Sequence, residues 1–113
     1  MSWWISLVKD ERKVQVSSHV EGGVINVDGE DEATMSVTYN YAPLFANALG
    51  CGMRDMNGVS GADSMPILEA GVTKLGTERS DNYWDATYGN AGQVLAVMLD
   101  WAKAHPDAVW QVH

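Results

Sequence analysis

A chain of 113 residues is long enough for one compact domain and short for two separately buried cores. With 46% hydrophobic and 19% charged residues its composition is globular, which excludes a disordered or low-complexity chain. Seven Lys and Arg against fifteen Asp and Glu give a formal net charge of −8, and the scattered cations disfavour direct contact with nucleic-acid phosphates or an anionic membrane surface.

The N-terminal part reads as antiparallel β-structure. Trp3 to Val8 alternates with the period of a strand, the polar run Lys9 to Lys13 interrupts it, and Val14-Gln15-Val16 resumes it, which is a hairpin signal. His19-Val-Glu21 runs into Gly22-Gly23, a turn or bulge, and Val24 to Val27 predicts a short strand ended by the turn former Asp28-Gly29. Thr34 to Tyr41 is the strongest strand signal, with Met35, Val37, Tyr39 and Tyr41 on a buried face and Thr34, Ser36, Thr38 and Asn40 on a polar one.

After Pro43 the pattern turns helical. Leu44 to Leu49 predicts a short helix closed by Gly50, and Met53 to Gly61 reads as loop. Asp63 or Ser64 then caps a helix with Pro66 in its first turn, an apolar stripe at Met65, Leu68, Val72 and Leu75, and a stop at Gly76. Gly71 inside it costs up to about 1 kcal/mol relative to Ala, which points to a close approach of another element. Thr77 to Gly89 has no usable periodicity. Asn90 and Gln93 have capping-box spacing for a third helix reaching about Ala104, with Ala91, Val94, Leu95, Met98, Trp101 and Ala102 on its apolar face. Pro106 ends it, and Ala108 to His113 reads as a final strand with Trp110 and Val112 inward. The sum is a single α+β domain over residues 1–113: a two-layer sandwich of a mostly antiparallel sheet, about five strands, packed by about three helices.

Reactive chemistry is sparse. The single Cys51, flanked by Gly50 and Gly52, excludes an intramolecular disulfide and reads as a passive thiol. With no signal-peptide pattern and no apolar run near the roughly 18 residues a membrane span needs, a cytoplasmic protein is expected. The three histidines are dispersed without metal-ligand spacing, and no phosphate loop, dinucleotide fingerprint or serine elbow is present. Neither cofactor nor catalytic residue is expected. His105 suits the C-terminal end of a helix, where an imidazolium favours the last carbonyls. His19 and Glu21 share a face if their segment is extended and could serve as base and orienter, although a solvated strand face is the plainer reading. The acidic run Asp28 to Glu32 reads as a solvated hairpin loop, with DNA mimicry the weaker alternative.

Two loops carry recognition chemistry: Arg54-Asp55-Met56-Asn57-Gly58, and Glu78 to Asp85 with Asn82, Tyr83 and Trp84, followed by Tyr88. Rigid aromatic rings interleaved with Arg, Asp and Asn supply contact area at low entropic cost. Their plainer role is structural, the rings covering the helix layer while Asp81 and Asn82 make turn hydrogen bonds.

The phrases His19-Val-Glu-Gly-Gly, Thr38-Tyr-Asn-Tyr-Ala, Pro66-Ile-Leu-Glu, Tyr83-Trp84, Gly89-Asn-Ala-Gly92 and Trp101-Ala-Lys-Ala-His-Pro-Asp-Ala span nearly the whole chain. Together they resemble a family of small uncharacterised proteins of tailed bacteriophages, prophages and some bacteria. The resemblance implies a phage or prophage origin and brings no catalytic motif. It favours a small, acidic, non-enzymatic binder of a host or phage protein, and it admits a virion accessory protein.

The leading expectation is a cofactor-free interaction protein that uses Arg54, Asp55, Asn82, Tyr83, Trp84 and Tyr88, with His19 and Glu21 as further binding candidates. One alternative is a small-ligand binder or small hydrolase with a site near His19, Glu21, Arg54 and Asp55. The other is a phage structural component that self-associates through exposed strand edges, a homodimer being the smallest form.

Overall fold

Strand β1, Ser2–Lys9, is the axis of the sheet in the computed structural model, which describes residues 2–16, 26–27, 32–78, 80–81 and 85–113. Its odd side chains Trp3, Ile5 and Leu7 are buried in the same core as the helices, while Trp4 on the opposite face is exposed. The chain turns back through Asp10 at φ 53° and Glu11 at φ 67° into β2, Arg12–Lys13, which sets Lys9 opposite Arg12. Two successive positive φ values belong to a type I′ turn, whose twist matches that of the strands it joins. A hairpin therefore forms, but its second strand lies at Arg12–Lys13 inside the polar run, and the expected strand Val14-Gln15-Val16 is reduced to backbone bonds of Val14 with Leu7 and Ala33 and a bridge of Gln15 with Glu32.

Strand β4, Thr34–Thr38, runs antiparallel to β1 from Ser2 opposite Thr38 to Ser6 opposite Thr34, and β3, Asn26–Val27, pairs with β4. Strand β5, Val109–Val112, pairs with β1 from Ile5 opposite Val112 to Val8 opposite Val109. The backbone of Leu7 shows how the edges of β1 are shared: its N–H donates to Ala33 O at 3.0 Å and its carbonyl accepts from Val14 N at 2.9 Å. Both groups of one strand residue point to the same side, so β2 and β4 lie end to end along one edge and β5 takes the other. The sheet is consequently four strands wide, β5-β1-β4-β3, with the two-residue β2 in line with β4, so that the expected five or so strands fill only about four positions.

The outer edge of β5 is closed by the segment Asn57 to Val59. Gly58 N–H donates to Trp110 O at 2.8 Å, Trp110 N–H donates to Val59 O at 2.9 Å, and Asn57 Oδ1 accepts from Val112 N at 3.0 Å. A strand edge saturated in this way offers no template to a second chain.

Strand β4 stops at Thr38 because the Thr38 hydroxyl accepts from Asn40 N at 3.2 Å and caps a 3-10 turn at Tyr39–Tyr41. Tyr39 and Tyr41 thus leave the strand into which their alternation placed them. The opposite face of β4 is less polar than expected, since Thr34 and Thr38 are both buried. Its hydroxyls pair instead: Ser6 with Thr34, and Ser36 with Ser2, each at 2.9 Å.

Helix α1, Ala42–Leu49, has Pro43 in its first turn and ends at Gly50 in the left-handed conformation, φ 73°. Met53–Met56, read as loop, is a 3-10 turn that buries both methionines. Helix α2, Gly61–Leu75, starts upstream of the expected Asp63 or Ser64, because the Ser60 hydroxyl accepts from Asp63 N at 3.0 Å. Helix α3, Tyr88–Ala104, is capped by the Thr87 hydroxyl on Asn90 N at 3.2 Å, which places Asn90 inside the helix.

The two layers meet around Trp110. Its ring lies 6.4 Å from that of Trp101 with 26° between planes, and its Nε1–H donates to Ser64 Oγ at 2.8 Å. The Ser64 hydroxyl passes its own hydrogen to Gly61 O at 2.7 Å, so the buried indole and hydroxyl are satisfied together. Helices α2 and α3 approach at Gly71, where a Cβ would stand 2.6 Å from Leu95 Cδ1, the close contact that an interior glycine predicted. His105 caps the end of α3 through its backbone, and its ring Nε2–H donates to Gln15 O at 2.6 Å, which ties the helix end to the N-terminal β-segment.

The bend at Gly22-Gly23, the start of the strand at Val24 and Ile25, the turn at Asp28-Gly29 and most of the acidic run lie outside the described residues.

Candidate functional site

The stretch between α2 and α3, without periodicity in the sequence, is held by the first turns of α3. A Cβ at Gly89 would lie 1.7 Å from Glu78 O, and one at Gly92 would lie 1.6 Å from Gly76 O. The chain leaving α2 therefore runs backbone to backbone over α3, at a spacing that only glycine permits. Between these glycines Asn90 is fully buried. Its Oδ1 accepts from Ser80 N at 2.9 Å, and its Nδ2 donates to Ser80 Oγ at 2.9 Å and to Asp85 O at 3.0 Å. One carboxamide thus holds Ser80 and Asp85 together, while Asn82, Tyr83 and Trp84 lie outside the described residues.

Three residues beyond Asp85 stands Tyr88, the first residue of α3 and 63% exposed. It borders a cleft of about 300 Å³ lined by Leu44, Asn47 and Ala48 of α1, Lys74 and Leu75 of α2, and Tyr88 itself. The walls are largely apolar. Lys74 is the one charged residue of the lining among the described residues, and its Nζ donates to Ala48 O, in the last turn of α1, at a long 3.4 Å. A cation at a helix C-terminus is favourable, so Lys74 both closes α1 onto α2 and leaves an ammonium at the cleft.

The other described candidates have local roles. Asp55 Oδ2 accepts from Gly52 N at 2.9 Å and so stabilises the 3-10 turn at Met53–Met56. Arg54 Nη2 donates to the Tyr39 hydroxyl at 3.1 Å, and the Tyr39 ring packs edge-on against Trp3 at 4.8 Å. No hydrogen bond or ion pair among the described residues joins Arg54 or Asp55 to Tyr88. His19 and Glu21 lie outside the described residues, so the structure describes no pocket that would unite them with Arg54 and Asp55. Burial pushes the Cys51 thiol up, and Asp55 adds to the shift, which keeps the sulfur protonated and poorly nucleophilic. Among the described residues no group of three or more His, Cys, Asp or Glu is placed to hold a metal ion, and no helix is long and apolar enough to cross a membrane.

The sequence reading missed Leu44, Asn47, Ala48, Lys74 and Leu75 as site residues. Leu44 and Ala48 stand one turn apart on α1 and so share a face, but nothing local shows that the end of α2 closes against it.

No protein-family model matches the chain, and no curated protein or solved structure matches it.

Proposed function

We propose that the chain is a non-catalytic interaction protein that captures a protein partner at the end of its helical layer. The observation that carries this reading is Tyr88: a large aromatic side chain 63% exposed beside an apolar cleft, on a helix turn whose backbone is immobilised by Asn90, Gly89 and Gly92. Exposed tyrosines on rigid backbone are favoured binding anchors, because a ring with two rotatable bonds contributes area at little ordering cost. Tyr83 and Trp84, which lie outside the described residues, join Tyr88 in this reading on the strength of the sequence alone. The resemblance to phage and prophage proteins makes the partner a host or phage protein, met in the bacterial cytoplasm.

The competing readings have less support. Arg54 and Asp55 are engaged in holding Tyr39 and the 3-10 turn, which leaves a hydrolytic or small-ligand site there without a free acid-base pair. Self-association through strand edges is disfavoured at β5, whose outer edge is already bonded. The test replaces Tyr83 and Trp84 together by alanine: capture of the partner is lost while circular dichroism and the melting temperature stay unchanged. A collapsed fold would assign both rings to the core instead and remove them from the binding surface.

A further inference from the structure

Building on the protein-binding reading above, we propose that the cleft between α1, α2 and Tyr88 receives the C-terminal residue of the partner chain: an apolar side chain with its own free carboxylate. At about 300 Å³ the cleft lies at the lower limit of ordinary ligand pockets, roughly 300–1,000 Å³, which suits a short occupant over a long peptide. Leu44, Ala48, Leu75 and the Tyr88 ring supply the apolar walls. The polar groups on the lining point to an anion. Lys74 is the only charged one among the described lining residues, and the Asn47 carboxamide brings further N–H donors. The Lys74 ammonium has three N–H donors, of which one makes the long bond to Ala48 O, so the others are available to an incoming carboxylate.

A terminal residue suits this arrangement better than an internal acidic one. It carries side chain and carboxylate on the same Cα, so both fit a cleft this small, whereas an internal apolar and acidic pair spreads over two positions. Charge-assisted hydrogen bonds from an ammonium to a carboxylate are about twice as strong as neutral ones. The net charge of −8 is spread over the chain, and at physiological salt exposed charges farther than about 8 Å from the bound carboxylate are largely screened.

The test uses the full chain labelled with ¹⁵N and three synthetic hexapeptides: one ending in leucine with a free carboxylate, the same peptide amidated, and one ending in serine with a free carboxylate. The leucine acid should shift the amides of Ala48, Leu75 and Tyr88 and bind at least about tenfold more tightly than the other two. Lys74→Gln should abolish the preference for acid over amide, while the glutamine carboxamide keeps a neutral N–H donor in the side chain that faces Ala48 O. If the amidated peptide binds the cleft as tightly as the acid, the carboxylate assignment is overturned and the protein-binding reading stands. If none of the peptides shifts the cleft amides, the assignment of the cleft is overturned. Failure of the protein-binding reading itself would show separately, as partner capture unaffected by loss of Tyr88.

Discussion

Asn90 holds Ser80 at both of its polar ends: the Asn90 carbonyl oxygen accepts from Ser80 N and the Asn90 amide nitrogen donates to Ser80 Oγ, each at 2.9 Å. This bidentate bond, completed by Asp85 O, ties both Ser80 and Asp85 to α3. Replacing Asn90 by alanine removes buried hydrogen bonds and leaves a cavity, and should cost about 2–3 kcal/mol. Chemical denaturation measures the loss, and hydrogen exchange should show the Ser80 amide stripped of its protection.

The helix glycines should differ in their response to alanine. At Gly92 the added Cβ would meet Gly76 O at 1.6 Å, a backbone atom that moves only if the chain leaves α3. At Gly71 it would meet the end of the Leu95 side chain, which can rotate, and the gain in helix propensity of about 1 kcal/mol offsets the crowding. Gly92→Ala is therefore expected to destabilise by about 3 kcal/mol or more, and Gly71→Ala to remain within about 1 kcal/mol of the parent protein. Urea midpoints at constant slope decide the order.

The turn at Asp10 and Glu11 offers a stabilising change. Glu11 holds φ 67°, a conformation that a residue with a side chain adopts at a cost of about 1 kcal/mol. Glu11→Gly should raise stability by about 0.5–1 kcal/mol, because glycine takes this conformation without a steric penalty. A higher urea midpoint with an unchanged slope is the expected signature.

The ion pair of Lys9 with Asp107 ties β1 to the turn before β5 and gives a small, salt-sensitive pH dependence. Its hydrogen bond to Lys9 holds the Asp107 carboxyl below its ordinary value, and the same bond raises the Lys9 ammonium above its own. A lowered carboxyl contributes stability above its unfolded value that is lost as pH falls through the folded one. A raised lysine contributes below its unfolded value and loses that contribution as pH rises through the folded one. The melting temperature of the parent should thus exceed that of Asp107→Asn slightly at neutral pH, converge with it in acid, and converge also in about 1 M salt, because both side chains are exposed.

Much of the fold was legible because its signals are local. The alternation of Trp3, Ile5 and Leu7, the stripe of Leu68, Val72 and Leu75, and the inward Trp110 and Val112 each follow from a single period, and Gly71 announced a close approach that the structure places at Leu95. The departures arise where one residue has two structural uses. Thr38 fits a strand by composition but also caps a turn, which removes Tyr39 and Tyr41 from β4. Asn90 has the spacing of a helix cap, and its side chain serves a buried clamp ten residues away while Thr87 caps the helix. The four-strand width depends on β2 and β4 sharing one edge of β1, which no local pattern records. The site was legible only in part: Tyr88 stood out as an aromatic in a polar stretch, whereas Leu44, Lys74 and Leu75 meet through tertiary packing of helices distant in sequence.

The most direct test is quantitative capture from bacterial lysate by the tagged parent protein and by Tyr88→Ala, each with its melting temperature measured. The account predicts a protein recovered stoichiometrically with the parent and lost with the variant, while the two melting temperatures agree within about 2 °C, as expected for an exposed side chain. Equal recovery of that protein by both would contradict the role of Tyr88. A fall in melting temperature that accompanies the loss would contradict it as well, by making Tyr88 a structural residue.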